Sequence, residues 1–304
     1  MPLEKLIEQR LERLESVPNK LLSTIQKNEE TVFKQILKDL NGLETKDGKI
    51  TASKSNLAKI NGILENLKKT LINEDYVNAI KEFAVEIGTQ AKISNKILDA
   101  TISSFSDDEL FKSTVLKSQQ NALALLDENA VTSEFLQPIS EILTSSIVSE
   151  MSFSDAVEML RSNIVGENAI YSKYATTYAK DAFSISDRQY NQLIARSFGI
   201  EFYKYDGVKV KATRYFCCVR KKKIFHIKEI ESWGEKESLW NNPKDGGSCE
   251  NAKGGGRNPD TNKYNIMSLL GGYGCQDVLL PVAIEYVPES VKNEARAKGY
   301  YTGL

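Results

Sequence analysis

Residues 3–40 read LEKLIEQRLERLESVPNKLLSTIQKNEETVFKQILKDL. Leu3, Leu6, Ile7, Leu11 and Leu14 recur three and four apart, the spacing that stacks side chains on one face of a helix. Leu21, Leu22, Ile25, Val32, Phe33, Ile36, Leu37 and Leu40 carry the same period onward. Pro18 has no N–H to give an interior helical turn, so the sequence predicts an interruption or a restart there. The remaining positions are rich in Lys, Glu, Asn and Ser, which suit a solvated face.

The same texture continues outward. ETKDGK (44–49) reads as a turn. Leu57, Ile60, Ile63, Leu64, Leu67, Leu71 and Ile72 form a second stripe, and Tyr76, Ile80, Phe83, Ala84 and Ile87 a third. Ser106 offers a capping hydroxyl, with Asp107, Asp108 and Glu109 in the first turn, so a helix is predicted over about 107–127. Another is predicted over about 133–150. Ser152 or Ser154 caps the next, which Gly166 ends, and a long helix over about 167–198 stops at Gly199. No a/d heptad persists for the three or four repeats a coiled coil needs, so these stripes read as a packed bundle. No internal repeat is visible.

Beyond residue 200 the composition changes. The last 104 residues hold 12 of the 18 glycines, 4 of the 7 prolines, both tryptophans, all four cysteines and the only histidine. They carry 17 basic against 13 acidic side chains, whereas residues 1–200 carry 23 against 28, so a net charge of −1 hides a split of +4 and −5. Ile200–Tyr205 and Val208–Thr213 alternate around Asp206-Gly207, which predicts a hairpin. Ile227–Trp233 reads as a short helix, 241–263 as a polar glycine-rich loop, and Leu279–Val287 as a strand in which Pro281 argues for an edge or a bend. The expected architecture is mainly α: an N-terminal helical bundle or extended helical body over 1–150, then 151–304, with helices over 152–198 and a small, loop-rich α+β part over 200–290.

Several classes are excluded. With 41% apolar and 27% charged residues the chain is neither collagenous nor disordered. No run approaches the ~20 apolar residues of a membrane helix, and the charged first fifteen residues do not resemble a signal peptide. A net charge of −1 is not that of a polycation coating nucleic acid. His226 is the single candidate base for any Ser–His–Asp or Cys–His mechanism, and no motif marks a nucleophile beside it.

The residues that could carry chemistry lie in the last third. Cys217, Cys218, Cys249 and Cys275 share a 59-residue window with His226. Zinc held by Cys217, His226, Cys249 and Cys275, a structural disulfide, and free cysteines filling apolar gaps are three open readings. Adjacent Cys217-Cys218 and the lack of a C-x₂-C pair make poor zinc spacing. Arg220-Lys221-Lys222-Lys223 offers contacts to phosphate or to an acidic surface, or a solvated turn. Gly254-Gly255-Gly256 lacks the Lys-Ser/Thr of a phosphate loop. Gly271-Gly272-Tyr273-Gly274-Cys275 implies a tight backbone path. Trp233 reads as core, and Trp240 as core or partner anchor.

Taken in order, Arg214-Tyr215-Phe216-Cys217, Lys223-Ile224-Phe225, the helix ending in Trp233, Gly271-Gly272-Tyr273-Gly274-Cys275 and Leu280-Pro281-Val282 resemble the C-terminal domain of the phage Mu F-like minor head proteins, also called phage head morphogenesis proteins. In that family an Arg-x-Phe-Cys element precedes a Gly-Lys-x-Phe turn, a helix with Trp, a glycine-rich Cys-Arg-His element and a proline. The helix Thr176–Arg196 and Gly199-Ile200-Glu201-Phe202-Tyr203 resemble the segment before it. The resemblance covers roughly 150–287 and none of 1–145. Arg214, Phe216, Cys217, Phe225, Trp233, Gly271, Gly272, Cys275 and Pro281 are the motif positions.

This chain departs from the family twice. Cys275-Gln276-Asp277 stands for Cys-Arg-His, and Lys222-Lys223 for Gly-Lys. A metal bound through that histidine would be lost, which shifts weight from zinc towards a disulfide between Cys217 and Cys275, or plain packing. The resemblance implies a non-enzymatic virion protein, present in multiple copies at the portal vertex of a tailed-phage head. It would assemble in the host cytoplasm, with the portal and other head or neck proteins as partners and packaged DNA as a further contact. It would aid head assembly and DNA packaging or delivery, with no cofactor. The alternative is a phage-delivered, metal-dependent nuclease or toxin-like enzyme built on the Cys/His cluster.

Overall fold

The computed structural model describes residues 3–101, 108–166, 169–207, 213–241, 252, 254, 257–272 and 275–303. The chain is mainly α, about 70% helical, with a few strands in a small C-terminal region. The helices are α1 (Leu3–Leu40), α2 (Lys54–Leu71), α3 (Glu74–Thr101), α4 (Asp108–Ala124), α5 (Glu128–Val131), α6 (Gln137–Val148), α7 (Phe153–Ile164), α8 (Ile170–Ser197), α9 (Tyr215–Cys218), α10 (Ile227–Trp233), α11 (Ile266–Leu269) and α12 (Glu289–Ala297). The strands are β1 (Thr45–Lys46), β2 (Lys49–Ile50), β3 (Phe202–Asp206), β4 (Ile224–His226) and β5 (Val278–Val282).

Contacts divide the chain into two compact units, neither of them continuous in sequence. One comprises Met1–Ser16, Val85–Ala122 and Lys180–Leu304, and the other Val17–Ala84 and Leu123–Ala179. A cut at residue 150 does not follow this division, because α1, α3 and α8 contribute residues to both units.

Pro18 does not break α1, which runs unbroken from Leu3 to Leu40. The missing N–H leaves the carbonyl of Leu14, four residues back, without its helical donor. The Gln276 side-chain amide donates to that carbonyl at 3.1 Å.

In the second unit the apolar stripes are the core. Leu21, Ile25, Val32, Ile36, Ile63, Leu67, Phe83, Leu143 and Leu160 are all buried. The turn at 44–49 is a miniature hairpin, β1 against β2, with both Asp47 (φ 51°) and Gly48 (φ 76°) left-handed as a type I′ turn requires. Buried Asn56 ties it down, accepting from Glu44 N–H and donating to the Glu44 and Thr51 carbonyls. The helix expected from 133 begins at Glu128 and runs through a π-helical turn, Thr132–Leu136, into α6. There Gln137 N–H reaches Thr132 O, and Pro138, with no N–H to place, follows at once. Ser152 caps α7, accepting from Asp155 N–H. The proposed cap Ser106 lies outside the described residues.

In the first unit Gly199 (φ 65°) terminates α8, as expected. The sequence predicts a hairpin between 200–205 and 208–213, whose second arm is described only at Thr213. Both edges of β3 are taken, by β4 on one side and β5 on the other, all antiparallel. Residues 208–212 lie outside the described residues. Tyr203, Tyr205, Phe225 and Leu279 point from the sheet into one cluster, with Phe216, Trp233, Trp240 and Ile266. Phe202, Ile224 and Val282 point the other way, onto Val291 and Ala295 of α12 and Tyr300 and Tyr301. That is the period-2 alternation of a sheet buried on both faces. β5 is an edge strand, and Pro281 pairs with Tyr203 at a position whose nitrogen faces away from β3, where no donor is needed.

Candidate functional site

The core of the first unit encloses a group of polar side chains. Cys217 of α9 lies side by side with Cys275, which precedes β5, and Asp277 adjoins that strand. The two Sγ atoms lie 3.9 Å apart, Cys275 Sγ lies 3.9 Å from Asp277 Oδ2, and all three residues are buried. They are the only described group of three or more His, Cys, Asp or Glu whose ligand atoms gather within 4.8 Å. Gly271 makes the close approach possible, since a Cβ there would overlap Cys217 Sγ and lie 3.1 Å from Cys275 Sγ. Arg214 Nη1 fixes the same turn by donating to Gly271 O at 2.8 Å.

Two cations hold this group. Arg188 of α8 donates through Nε to Asp277 O (2.8 Å), through Nη1 to Ser268 O (2.6 Å), and through Nη2 to Cys275 O. One guanidinium thus satisfies three carbonyls, one in the short helix α11 and two just before β5. Lys221 Nζ lies 2.9 Å from Asp277 Oδ1, and the Tyr205 hydroxyl lies 3.5 Å from Oδ2. The Cys275 thiol is brought down to about 7, because the Cys217 S–H donates to its sulfur and Arg188 stands nearby, against burial and the Asp277 charge. The Cys217 thiol is pushed up by that same bond and by burial. Burial also raises the Tyr205 phenol. The arrangement is two buried thiols in contact, with Asp277, Lys221 and Arg188 beside them. A soft divalent ion would find three donors here and would have to displace Lys221 from Asp277.

Several expectations need correction. Cys217 and Cys275 are free thiols, and 3.9 Å is nearly twice a disulfide bond, so that bridge is not formed. Cys218 is disulfide-bonded instead, and Cys249 lies outside the described residues. His226 stands apart from the thiols. It caps α10, its Nδ1 accepting from Lys228 N–H at 3.2 Å, and its Nε2 lies 3.8 Å from Glu201. Its ring meets Phe202 edge-on at 5.0 Å and lies parallel to Tyr300. Burial lowers its pKa, opposed by Glu201.

The basic run is divided. Arg220 is buried, its guanidinium 3.9 Å over Phe216 and 4.5 Å over Trp233, with Nη1 donating to Phe216 O. Lys221 is committed to Asp277. Burial and pairing withdraw both from any outside anion, which leaves Lys222 and Lys223 exposed. Trp240 is 1% exposed and stacks on Phe216 at 4.3 Å, so it is core, not a partner anchor. Trp233 is core as expected.

Sequence reasoning missed Arg188 and the buried Arg10–Asp187 pair. The signal was available: Asp187-Arg188 interrupts a helix segment whose neighbours Ala179, Ala182, Phe183, Tyr190 and Ile194 are all core-forming. Charged side chains on that face need internal partners. No protein-family model, curated protein or solved structure matches this chain.

Proposed function

We propose that this chain is a structural, non-enzymatic virion protein of a tailed phage, a portal-associated minor head protein that aids head assembly and DNA packaging or delivery. The observation that carries the reading is the convergence of the resembling positions. Phe216, Cys217, Trp233 and Cys275 share one cluster, and Phe225 packs on Trp233 with ring centroids 4.9 Å apart. Arg214 bonds Gly271, and Pro281 sits opposite Tyr203. The sequence order resembling that family thus serves one packed core. Lys222, where the family carries glycine, adopts φ 64°, a conformation glycine favours. The protein works by binding energy: apolar helix faces dock on the portal or on neighbouring copies. Lys222 and Lys223 are the part of the basic run left to meet an acidic surface or DNA phosphate.

The experiment is quantitative mass spectrometry of purified phage-like particles, before and after the heads are emptied of DNA. A low, fixed copy number relative to the portal, retained in empty heads, supports the reading. Loss with the DNA assigns an ejected role instead. Absence from particles, together with stoichiometric zinc and an activity lost in His226→Ala, transfers the assignment to the enzyme alternative.

A further inference from the structure

The two edges of the β4-β3-β5 sheet are not equivalent. On β5, Pro281 presents no N–H to the outside. On β4 the antiparallel pattern turns alternate residues outward. Tyr205 N–H bonds Lys223 O and Ile227 N–H bonds Glu201 O, so Lys223, Phe225 and Ile227 face β3. The main-chain N–H and C=O of Ile224 and the N–H of His226 therefore face away from the sheet, and no described residue bonds them.

These groups open into a cleft of about 480 Å³ between β4 and the start of α12, walled by Ile224 and Phe225 on one side and Pro288 and Val291 on the other. The volume falls within the range of small-ligand and peptide clefts, roughly 300–1,000 Å³. Its charges are asymmetric. Glu229 and Glu294 lie in the wall, but Lys298 holds both, at 2.9 and 2.6 Å. Lys222 and Lys223 at the mouth are exposed and form no ion pair among the described residues. Among the described residues, an unpaired strand edge, an apolar wall and two ammonium groups without an ion pair lie together.

We propose that the cleft beside β4 receives an extended, acidic segment of a partner protein, which adds a fourth strand to the sheet. Main-chain bonds to Ile224 and His226 supply the pairing. Alternate side chains of the segment face Pro288 and Val291 and are apolar, while acidic residues at one end meet Lys222 and Lys223. The inference rests on this edge and its charges and not on the virion reading.

A displayed library of random nine-residue peptides, panned against the full chain, tests it. The expected consensus alternates apolar residues and carries Asp or Glu towards one end. The best peptide, synthesised, binds at least tenfold more weakly to Lys222→Glu/Lys223→Glu and to Val291→Arg, both checked for native tryptophan fluorescence. It slows hydrogen exchange at the Ile224 and His226 amides at least tenfold. A consensus without alternation or acids, no consensus at all, binding indifferent to both variants, or unprotected Ile224 and His226 amides would each overturn the proposal. So would duplex DNA binding through the two lysines in place of peptide, or self-association abolished by their reversal, which would assign the edge to nucleic acid or to a second copy.

Discussion

Replacing Arg10 by Met should destabilise the first unit by about 3 kcal/mol, and the figure follows from what Asp187 would be left with. Both side chains of the pair are 1% exposed. Arg10 Nε and Nη2 reach the two carboxylate oxygens of Asp187 at 3.1 and 2.6 Å, and Gln90 Nε2 adds a third bond at 3.1 Å. Methionine fills much the same volume and removes both charge-assisted bonds. The carboxylate then keeps one neutral donor in a site sealed from water. Stranding one partner of a buried pair costs about 3–5 kcal/mol, and the surviving Gln90 bond holds the loss near the lower end. Gln90 also donates to Arg10 O, a main-chain contact the substitution spares. In the double variant Arg10→Met/Asp187→Leu neither charge remains, so stability should return to within about 1 kcal/mol of the parent. The double variant thus recovers about 2–3 kcal/mol of what the single one loses. Both tryptophans, Trp233 and Trp240, lie in the core of this unit, so urea unfolding followed by tryptophan fluorescence reports on it directly. With a slope of about 2 kcal/mol/M the single variant's midpoint falls by about 1.5 M. A single-variant loss under about 1 kcal/mol, or a double variant no more stable than the single, refutes the argument that Asp187 is held as a buried anion by Arg10.

Two further outcomes follow from local geometry. Lys222→Gly should stabilise by about 0.5–1 kcal/mol and raise the same urea midpoint by about 0.25–0.5 M, because a left-handed backbone costs a side-chain-bearing residue more than the extra chain entropy costs glycine; Lys223→Gly, tested alongside, should not. His226 is held neutral by burial, so its folded pKa lies below the unfolded value of about 6.5. The unfolded chain therefore binds the proton first as pH falls, and stability is lost below about pH 6.5 until the folded pKa is passed. Urea midpoints at pH 7.5 and 5.5 should converge in His226→Asn relative to the parent, and an equal pH loss in both proteins would remove His226 from the explanation.

The helical body was readable because its signal is local. Stripes such as Ile60, Ile63, Leu67 and Leu71 repeat within a few turns, and the structure buries all four. Pro18 was misread because the donor that rescues Leu14 belongs to Gln276, and no local rule connects them. The partners of β3 were illegible for the same reason. The strands that take its edges begin at Ile224 and Val278, and no turn signal beside β3 points to either. The basic run looked uniform as composition, yet Arg220 follows Phe216 by one helical turn, which puts its guanidinium on the aromatic face. The cysteines could be placed in one region but not paired, since spacing carries no connectivity. Arg188 was marked in the sequence only as a charge on a core-forming face; the carbonyls it bonds, those of Ser268, Cys275 and Asp277, lie 80 or more residues away.

The bond between Gln276 and Leu14 also bears on how the protein is made. Its partners are 262 residues apart, and the unit they close takes its first helix from Met1–Ser16 and its sheet from beyond Lys180. On a ribosome adding about 5–20 residues per second, the opening turns of α1 wait roughly 13–50 s for the segment that covers them. Leu6 has its partners Ile93 and Ile97 earlier, and Arg10 its partner Asp187, but the Leu14 carbonyl waits the whole interval for its donor. Synthesis that stalls before Gln276 leaves this unit incomplete in its first helix as well as in its last strand, whereas every residue of the second unit has by then been made.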